Sequence, residues 1–155
     1  MQRKDHTKKA LFPDGSRLRV GIVVSKFHND ITRRMLDGAL DTLRQCKVKE
    51  EHIKVLRVPG SFEIPLGCLM LIKRKKFDAL VALGCIVKGE TDHNVYIASA
   101  VSKGIMDFSL LHSVPIGFGV ITANTLAQAA VRSKGKTNRG SEAALAAVAM
   151  AVLKS

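Results

Sequence analysis

The chain has 155 residues, 46% of them apolar, which suits one domain whose core needs neither disulfides nor a metal. No apolar run approaches the ~18 residues of a membrane span, the N-terminus lacks a secretory signal's apolar segment, and Cys46, Cys68 and Cys85 form no CxxC pair, so the expectation is a cytoplasmic protein. The net charge is +12, from 25 basic and 13 acidic residues.

Residues 1–20 hold six Lys or Arg against Asp5 and Asp14, a third of that net charge. Residues 1–17 therefore read as a basic flexible arm ahead of a single domain over 18–155. Basic arms touch RNA in some proteins but are more often simply solvated. With no Trp and one Tyr the basic surface has few stacking platforms, and nucleic acid is not the expected main partner.

Beyond the arm, Leu18 to Val24 is a continuous apolar strand, followed by a helix begun by Asn29 or Asp30 with Met35, Leu36, Ala39, Leu40 and Leu43 on one face. Ile53 to Val58 is a second strand, turned by Pro59-Gly60 into a helix near residues 62–75. Lys73-Arg-Lys-Lys76 closes that helix, where cations complement its dipole. Phe77 to Leu83 is a third, buried strand, and Gly84 opens a turn to a helix capped by Thr91 or Asp92 and reaching about Leu111. Pro115 to Ile121 is a fourth strand; a short helix over 124–132, a cationic loop and an alanine-rich helix from about Gly140 to Leu153 complete the chain. The repeated β-then-α order predicts an α/β fold, a three-layer sandwich with a four-stranded parallel, flavodoxin-like sheet covered by helices on both faces.

Ligands of such sheets lie beyond the carboxyl ends of the strands, here Ser25 to Asn29, Pro59 to Glu63, Cys85 to His93 and Thr122 to Asn124. Gly84, Gly89 and Thr91 imitate the spacing of a nucleotide-binding P-loop, but Glu90 stands where that motif needs lysine and would repel a triphosphate. What survives is a helix start able to attract a single anion, with the imidazole of His93 beside it as a proton carrier or a plain surface histidine. Phe27 either stacks on a flat heterocycle or caps the core. Ser61 and Glu63 follow a turn, where they bind a polyhydroxyl chain or cap a helix. Arg132, on sequence alone, is a solvated helix-end cation.

Taken together, Phe27-His-Asn29, Val58-Pro-Gly-Ser-Phe-Glu-Ile-Pro65, Gly84 to His93, Phe118 to Thr122, Gln128-Ala with Arg132, and Asn138 to Ala144 resemble the 6,7-dimethyl-8-ribityllumazine synthases, in order over residues 18–153. The resemblance implies the penultimate step of riboflavin synthesis. There, 5-amino-6-(D-ribitylamino)uracil condenses with 3,4-dihydroxy-2-butanone 4-phosphate, releasing phosphate and water, with no cofactor and no metal. It further implies that Ser61, Phe62 and Glu63 hold the ribityl chain and that Cys85, Ile86 and Val87 meet the pyrimidine through backbone groups. Phe27 and Phe118 belong to the same substrate's site. Glu90, Thr91 and Arg132 correspond to the phosphate-binding set, and Arg132 can offer the phosphate two parallel hydrogen bonds. His93 corresponds to the histidine that moves protons. Cys85 is not expected to be a nucleophile, because the reaction needs no covalent enzyme intermediate. His28 adjoins Phe27 at the pocket's mouth, while His52 and His112 precede strands away from it.

Members of this family form pentamers, some as sixty-subunit shells, with sites between neighbours; Phe118 and Arg139 would reach the adjacent subunit's site. The loop from Ser133 to Asn138 is one residue shorter than the shell-forming pattern, which favours a pentamer. The chain departs from the family at Ala123-Asn-Thr125, usually an acidic residue followed by asparagine, at Val131, commonly glutamate, and at Arg139, commonly lysine. Two rivals are an archaeal-type riboflavin synthase on the same fold, whose substrate lacks phosphate, and a non-catalytic basic module that binds RNA.

Overall fold

The computed structural model describes residues 12–155. Four strands rich in β-branched residues, β1 (Val20–Ser25), β2 (Ile53–Val58), β3 (Ala79–Val87) and β4 (Ile116–Ala123), pair in the order β2-β1-β3-β4. Every pairing is parallel. Parallel neighbours need crossovers, which α1 (Asn29–Gln45), α2 (Ile64–Arg74) and α3 (His93–His112) supply, and α4 (Leu126–Val131) and α5 (Arg139–Lys154) follow the last strand.

Alternation along the strands divides the core in two. Val20, Ile22 and Val24 of β1 point to one face, where they meet Met35, Leu36 and Leu43 of α1 and Ala144, Ala147 and Val148 of α5. Val23 points to the other, among Ile64 and Leu71 of α2 and Val101, Ile105 and Phe108 of α3. Helices thus cover both faces of a four-stranded parallel sheet, the α/β sandwich that the βα rhythm predicts.

Two expectations need correction. Gly84 does not open a turn: β3 runs on through Gly84, Cys85, Ile86 and Val87, paired with Val120 to Ala123 of β4, and the chain leaves the sheet only at Lys88. The glycine is accommodated because the space of its missing side chain is filled by Ser61 and Ile64. Ser61 does not cap a helix. A 3₁₀ turn over Ser61–Glu63 precedes α2, and it is Glu63 Oε2 that accepts from the Gly60 N–H at 2.9 Å.

Of the basic arm over 1–17, residues 1–11 lie outside the described residues. Gly15, further on, is buried, and its N–H donates to the Cys46 carbonyl at 2.7 Å, so the chain is tied to the body before residue 18. No described helix is long and apolar enough to cross a membrane.

The α1–α5 contact is held by a buried side chain. Asn138, at the N-cap of α5, accepts from the N–H groups of Gly140 and Ser141 and donates to the carbonyls of Arg34 and Ser133. Gly140 packs so closely on α1 that a β-carbon there would collide with the Met35 carbonyl oxygen. Asn138→Ala removes the cap and its bonds to the buried Ser133 carbonyl and the half-buried Arg34 carbonyl, so it should destabilise the fold by about 2–4 kcal/mol. Urea unfolding of the variant measures this; a loss within experimental error would mean that the contact is held by apolar packing alone.

Candidate active site

Because all four strands are parallel, their carboxyl ends share one edge, and the loops that follow are stitched to one another. Lys26 N–H donates to the Val58 carbonyl at 2.8 Å and Phe27 N–H to the Pro59 carbonyl at 3.0 Å, carrying the β1–β2 ladder beyond the strands. Lys88 N–H does the same to the Ala123 carbonyl at 2.9 Å. His28 then turns the chain into α1 with φ of 57°, a left-handed conformation that histidine tolerates better than most residues. Its ring packs against that of Phe27, centroids 4.5 Å apart.

These loops enclose a cavity of about 860 Å³, mostly apolar, within the size range of small-molecule sites. Phe27, Ser61, Phe62, Glu63, Cys85, Ile86, Val87 and His93 all line it, so eight of the residues singled out in the sequence converge. Phe27 and Phe62 are exposed rings at its rim, and the end of β3 forms its back wall. His28 lines it too. Tyr96, Ile97 and Ala100 complete it and escaped the sequence reading. The signal was present: with His93 they recur at i, i+3, i+4 and i+7, one face of a helix.

The remaining residues lie elsewhere in the subunit. Arg132 lines a second, polar concavity of about 560 Å³ with Asn94, Val95, Ala98 and Ser99, which belong to a different face of α3. The helix therefore stands between Arg132 and the main cavity. Phe118 and Arg139 line a third concavity, with Arg132 at its edge. Arg139 is paired at the surface with Glu142 at 2.6 Å. Glu90 and Thr91 sit on the exposed loop ahead of α3, where Thr91 Oγ1 accepts from the His93 N–H at 3.4 Å. The set expected to hold a phosphate is thus split, with Glu90 and Thr91 near His93 and Arg132 beyond α3.

Near Arg132, the Thr125 hydroxyl caps α4 by accepting from the Gln128 N–H at 3.1 Å, and Gln128 Oε1 accepts from the Asn124 N–H at 2.9 Å. The departure at Ala123-Asn-Thr125 therefore keeps a local helix start intact.

Burial pushes the Cys85 thiol up to about 11, which leaves it protonated and unreactive near neutrality. Its side chain points into the core beneath α1 and α5, so the cavity meets this residue from the opposite side. Among the described residues no group of three or more His, Cys, Asp or Glu is arranged to hold a metal.

An aromatic-rimmed cavity at the carboxyl edge of a doubly covered parallel sheet, with a histidine at a helix start, defines the class: an α/β protein with a small-molecule cavity at its strand ends. Residues 17–155 match the family model of 6,7-dimethyl-8-ribityllumazine synthase. Curated relatives bear the same name: one from Kosmotoga olearia is 45% identical over 141 residues, 90% of each chain. Another, from Parabacteroides distasonis, is 42% identical over 139 residues, 89% of this chain and 87% of its own. The chain belongs to the 6,7-dimethyl-8-ribityllumazine synthase family.

Burial of all three cysteines makes a chemical prediction. At pH 8 the native protein should resist iodoacetamide, while the unfolded chain takes up three alkyl groups, counted by mass spectrometry. Rapid modification of Cys85 in the native protein would contradict both its burial and its exclusion as a nucleophile.

Proposed function

We infer that this chain is the transferase of its family: it condenses 5-amino-6-(D-ribitylamino)uracil with 3,4-dihydroxy-2-butanone 4-phosphate to 6,7-dimethyl-8-ribityllumazine, releasing phosphate and water. The observation that carries the reading is the convergence of the ribityl and pyrimidine residues with His93 on one cavity of a family member. Phe27 stacks on the heterocycle, the strand-end backbone from Cys85 to Val87 reads its ring edge, and Ser61, Phe62 and Glu63 take the ribityl chain. His93 moves protons during imine formation, phosphate elimination and ring closure, all of which proceed near neutral pH. Neither the riboflavin synthase reading nor the RNA-binding one gains support from any feature of the cavity.

The ketone phosphate needs a cation, and the subunit keeps Arg132 on the far side of α3. We propose that the site is completed between subunits of a cytoplasmic pentamer: one chain supplies the cavity, Glu90, Thr91 and His93, and its neighbour supplies Phe118, Arg132 and Arg139. Exposed apolar side chains on the intervening surfaces support this, among them Tyr96, Met106, Leu110 and Leu111 of α3, Val131 of α4 and Phe118 of β4. A sixty-subunit shell would add contacts between pentamers.

Holding two reactants in register supplies much of the acceleration, so loss of the proton carrier need not abolish turnover. His93→Ala should lower kcat about tenfold to a hundredfold, read from the optical appearance of lumazine; an unchanged rate removes His93 from the mechanism. Arg132→Ala should chiefly raise KM for the ketone phosphate, and an unaltered dependence on that substrate contradicts its role. Co-assembled His93→Ala and Arg132→Ala chains, mixed equally, should recover about a quarter of wild-type turnover if each site takes one residue from each neighbour. No recovery would place both residues in one subunit's site.

A further inference from the structure

The edge opposite the cavity is strongly cationic. β2, β1 and β3 start level, so the segments that lead into them lie side by side. Those segments carry Lys47 and Lys49, Arg17 and Arg19, and the run Lys73-Arg-Lys-Lys76, all exposed. Leu18 and Val48, each set between two of these cations, are buried in one core and leave their neighbours outside. Asp78 ties the third segment to the first: its N–H donates to the Arg19 carbonyl at 2.8 Å and its carboxylate accepts from the Arg19 N–H at 2.7 Å. The Asp14 carboxyl is held below its usual range first by hydrogen bonds from Ser16 and then by Lys47 and Arg17, so cations of two segments stand near one acid.

The acids of this rim do not balance its cations. Asp14 and Asp78 accept from backbone N–H groups, Glu50 is paired with Arg44 at 3.1 Å, and Glu51 remains. None of the cations on the three segments is ion-paired with another described residue. The dipole of α2 accounts for Lys73 and Arg74 in its last turn, but Lys75 and Lys76 lie beyond it. Solubility asks for charge and not for its concentration on one rim, where like charges repel. The loops of the carboxyl edge have no such excess, carrying Lys26 and Lys88 against Glu63, Glu90 and Asp92.

We propose that this rim is a second, non-catalytic surface that binds the phosphate backbone of double-helical nucleic acid without regard to sequence. Three strands about 4.8 Å apart set its cations across roughly 10 Å, a width over which a duplex presents about six phosphates. Neutralising them releases their counterions, which supplies the affinity. A duplex fits this rim better than a single strand or a membrane does. Of the phenylalanines at this edge Phe77 is buried and Phe12 alone is exposed, too few rings to stack unpaired bases. Leu18, Val48 and Phe77, the apolar residues among the cations, are buried and cannot enter a bilayer.

The test uses the full chain in its native assembly and a fluorescent RNA duplex, followed by anisotropy. Binding should be tighter than about 10⁻⁴ M at about 50 mM NaCl and weaken about a hundredfold by about 200 mM, the slope of roughly four phosphate contacts. Joint replacement by Lys73→Gln, Arg74→Gln, Lys75→Gln and Lys76→Gln should weaken binding about tenfold and flatten the salt dependence, with turnover and melting temperature unchanged. Arg17→Gln with Lys47→Gln and Lys49→Gln should do the same. Lys26→Gln with Arg33→Gln and Arg57→Gln removes a cluster near the other edge and should cost less than about threefold. Weaker binding by the unaltered protein overturns the proposal, and an equal loss in that last variant does so too, since net charge alone would then explain it. Tighter capture by phosphatidylserine vesicles than by the duplex overturns it in favour of a membrane surface. A loss confined to Arg3→Gln, Lys4→Gln, Lys8→Gln and Lys9→Gln overturns it in favour of the arm.

Discussion

Everything in this molecule depends on the parallel register of β1, which pairs with β2 on one side and β3 on the other. Val20 stands opposite both Ile53 and Ala79, so the three strands start level. Strands that start level and run the same way deliver their loops to one edge. The backbone bonds from Lys26 and Phe27 to Val58 and Pro59, and from Lys88 to Ala123, continue the ladders into those loops. The cavity's walls are therefore fixed by main-chain geometry before any side chain is chosen. Recognition through backbone groups, as proposed for the pyrimidine, asks for that kind of rigidity.

The second constraint is α3. It is twenty residues long and buries only Val101, Ile105 and Phe108 in its own subunit, while Val95, Tyr96, Met106, Leu110 and Leu111 stay exposed. A helix apolar on several faces is stable in water only when something covers the rest. Its first turns also divide the chemistry, with His93, Tyr96 and Ile97 facing the cavity and Asn94, Val95 and Ala98 facing the concavity of Arg132. One helix thus forms the cavity wall, bears the proposed proton carrier and presents the apolar surface that the proposed neighbour would cover.

Much of this was legible in the sequence, for identifiable reasons. Apolar runs bounded by turn residues gave all four strands and their order of helices, because buried parallel strands are nearly continuous in hydrophobicity. Gly84 misled because glycine usually ends a strand; what keeps it inside β3 is a close approach by Ser61 and Ile64, a tertiary fact with no local signature. Ser61 misled for a related reason. A serine after Pro-Gly looks like a cap, but here the neighbouring Glu63 takes the free Gly60 N–H and leaves the hydroxyl unclaimed. Tyr96, Ile97 and Ala100 were overlooked although helical periodicity from His93 places them on the cavity. The separation of Arg132 from Glu90 and Thr91 was not readable at all, since it depends on which side of α3 each segment passes.

That separation gives the two substrates different physical demands. The heterocycle and its polyol chain are uncharged, and in the proposed site the subunit offers them a mostly apolar cavity whose polar groups are backbone, hydroxyl, the imidazoles of His28 and His93 and the Glu63 carboxylate that accepts from the Gly60 N–H. The ketone phosphate is an anion, and within one subunit the loop ahead of His93 carries two carboxylates, Glu90 and Asp92, against Lys88, a net charge of the wrong sign. Under the proposed assembly a neighbour's Arg132 offsets that charge and turns the seam into a place where phosphate is favourable. A lone subunit would then keep the uracil half of the site and lack the phosphate half. Bringing the cation in from outside the chain ties the second substrate to assembly, so that both reactants meet beside His93 only where two folded subunits meet.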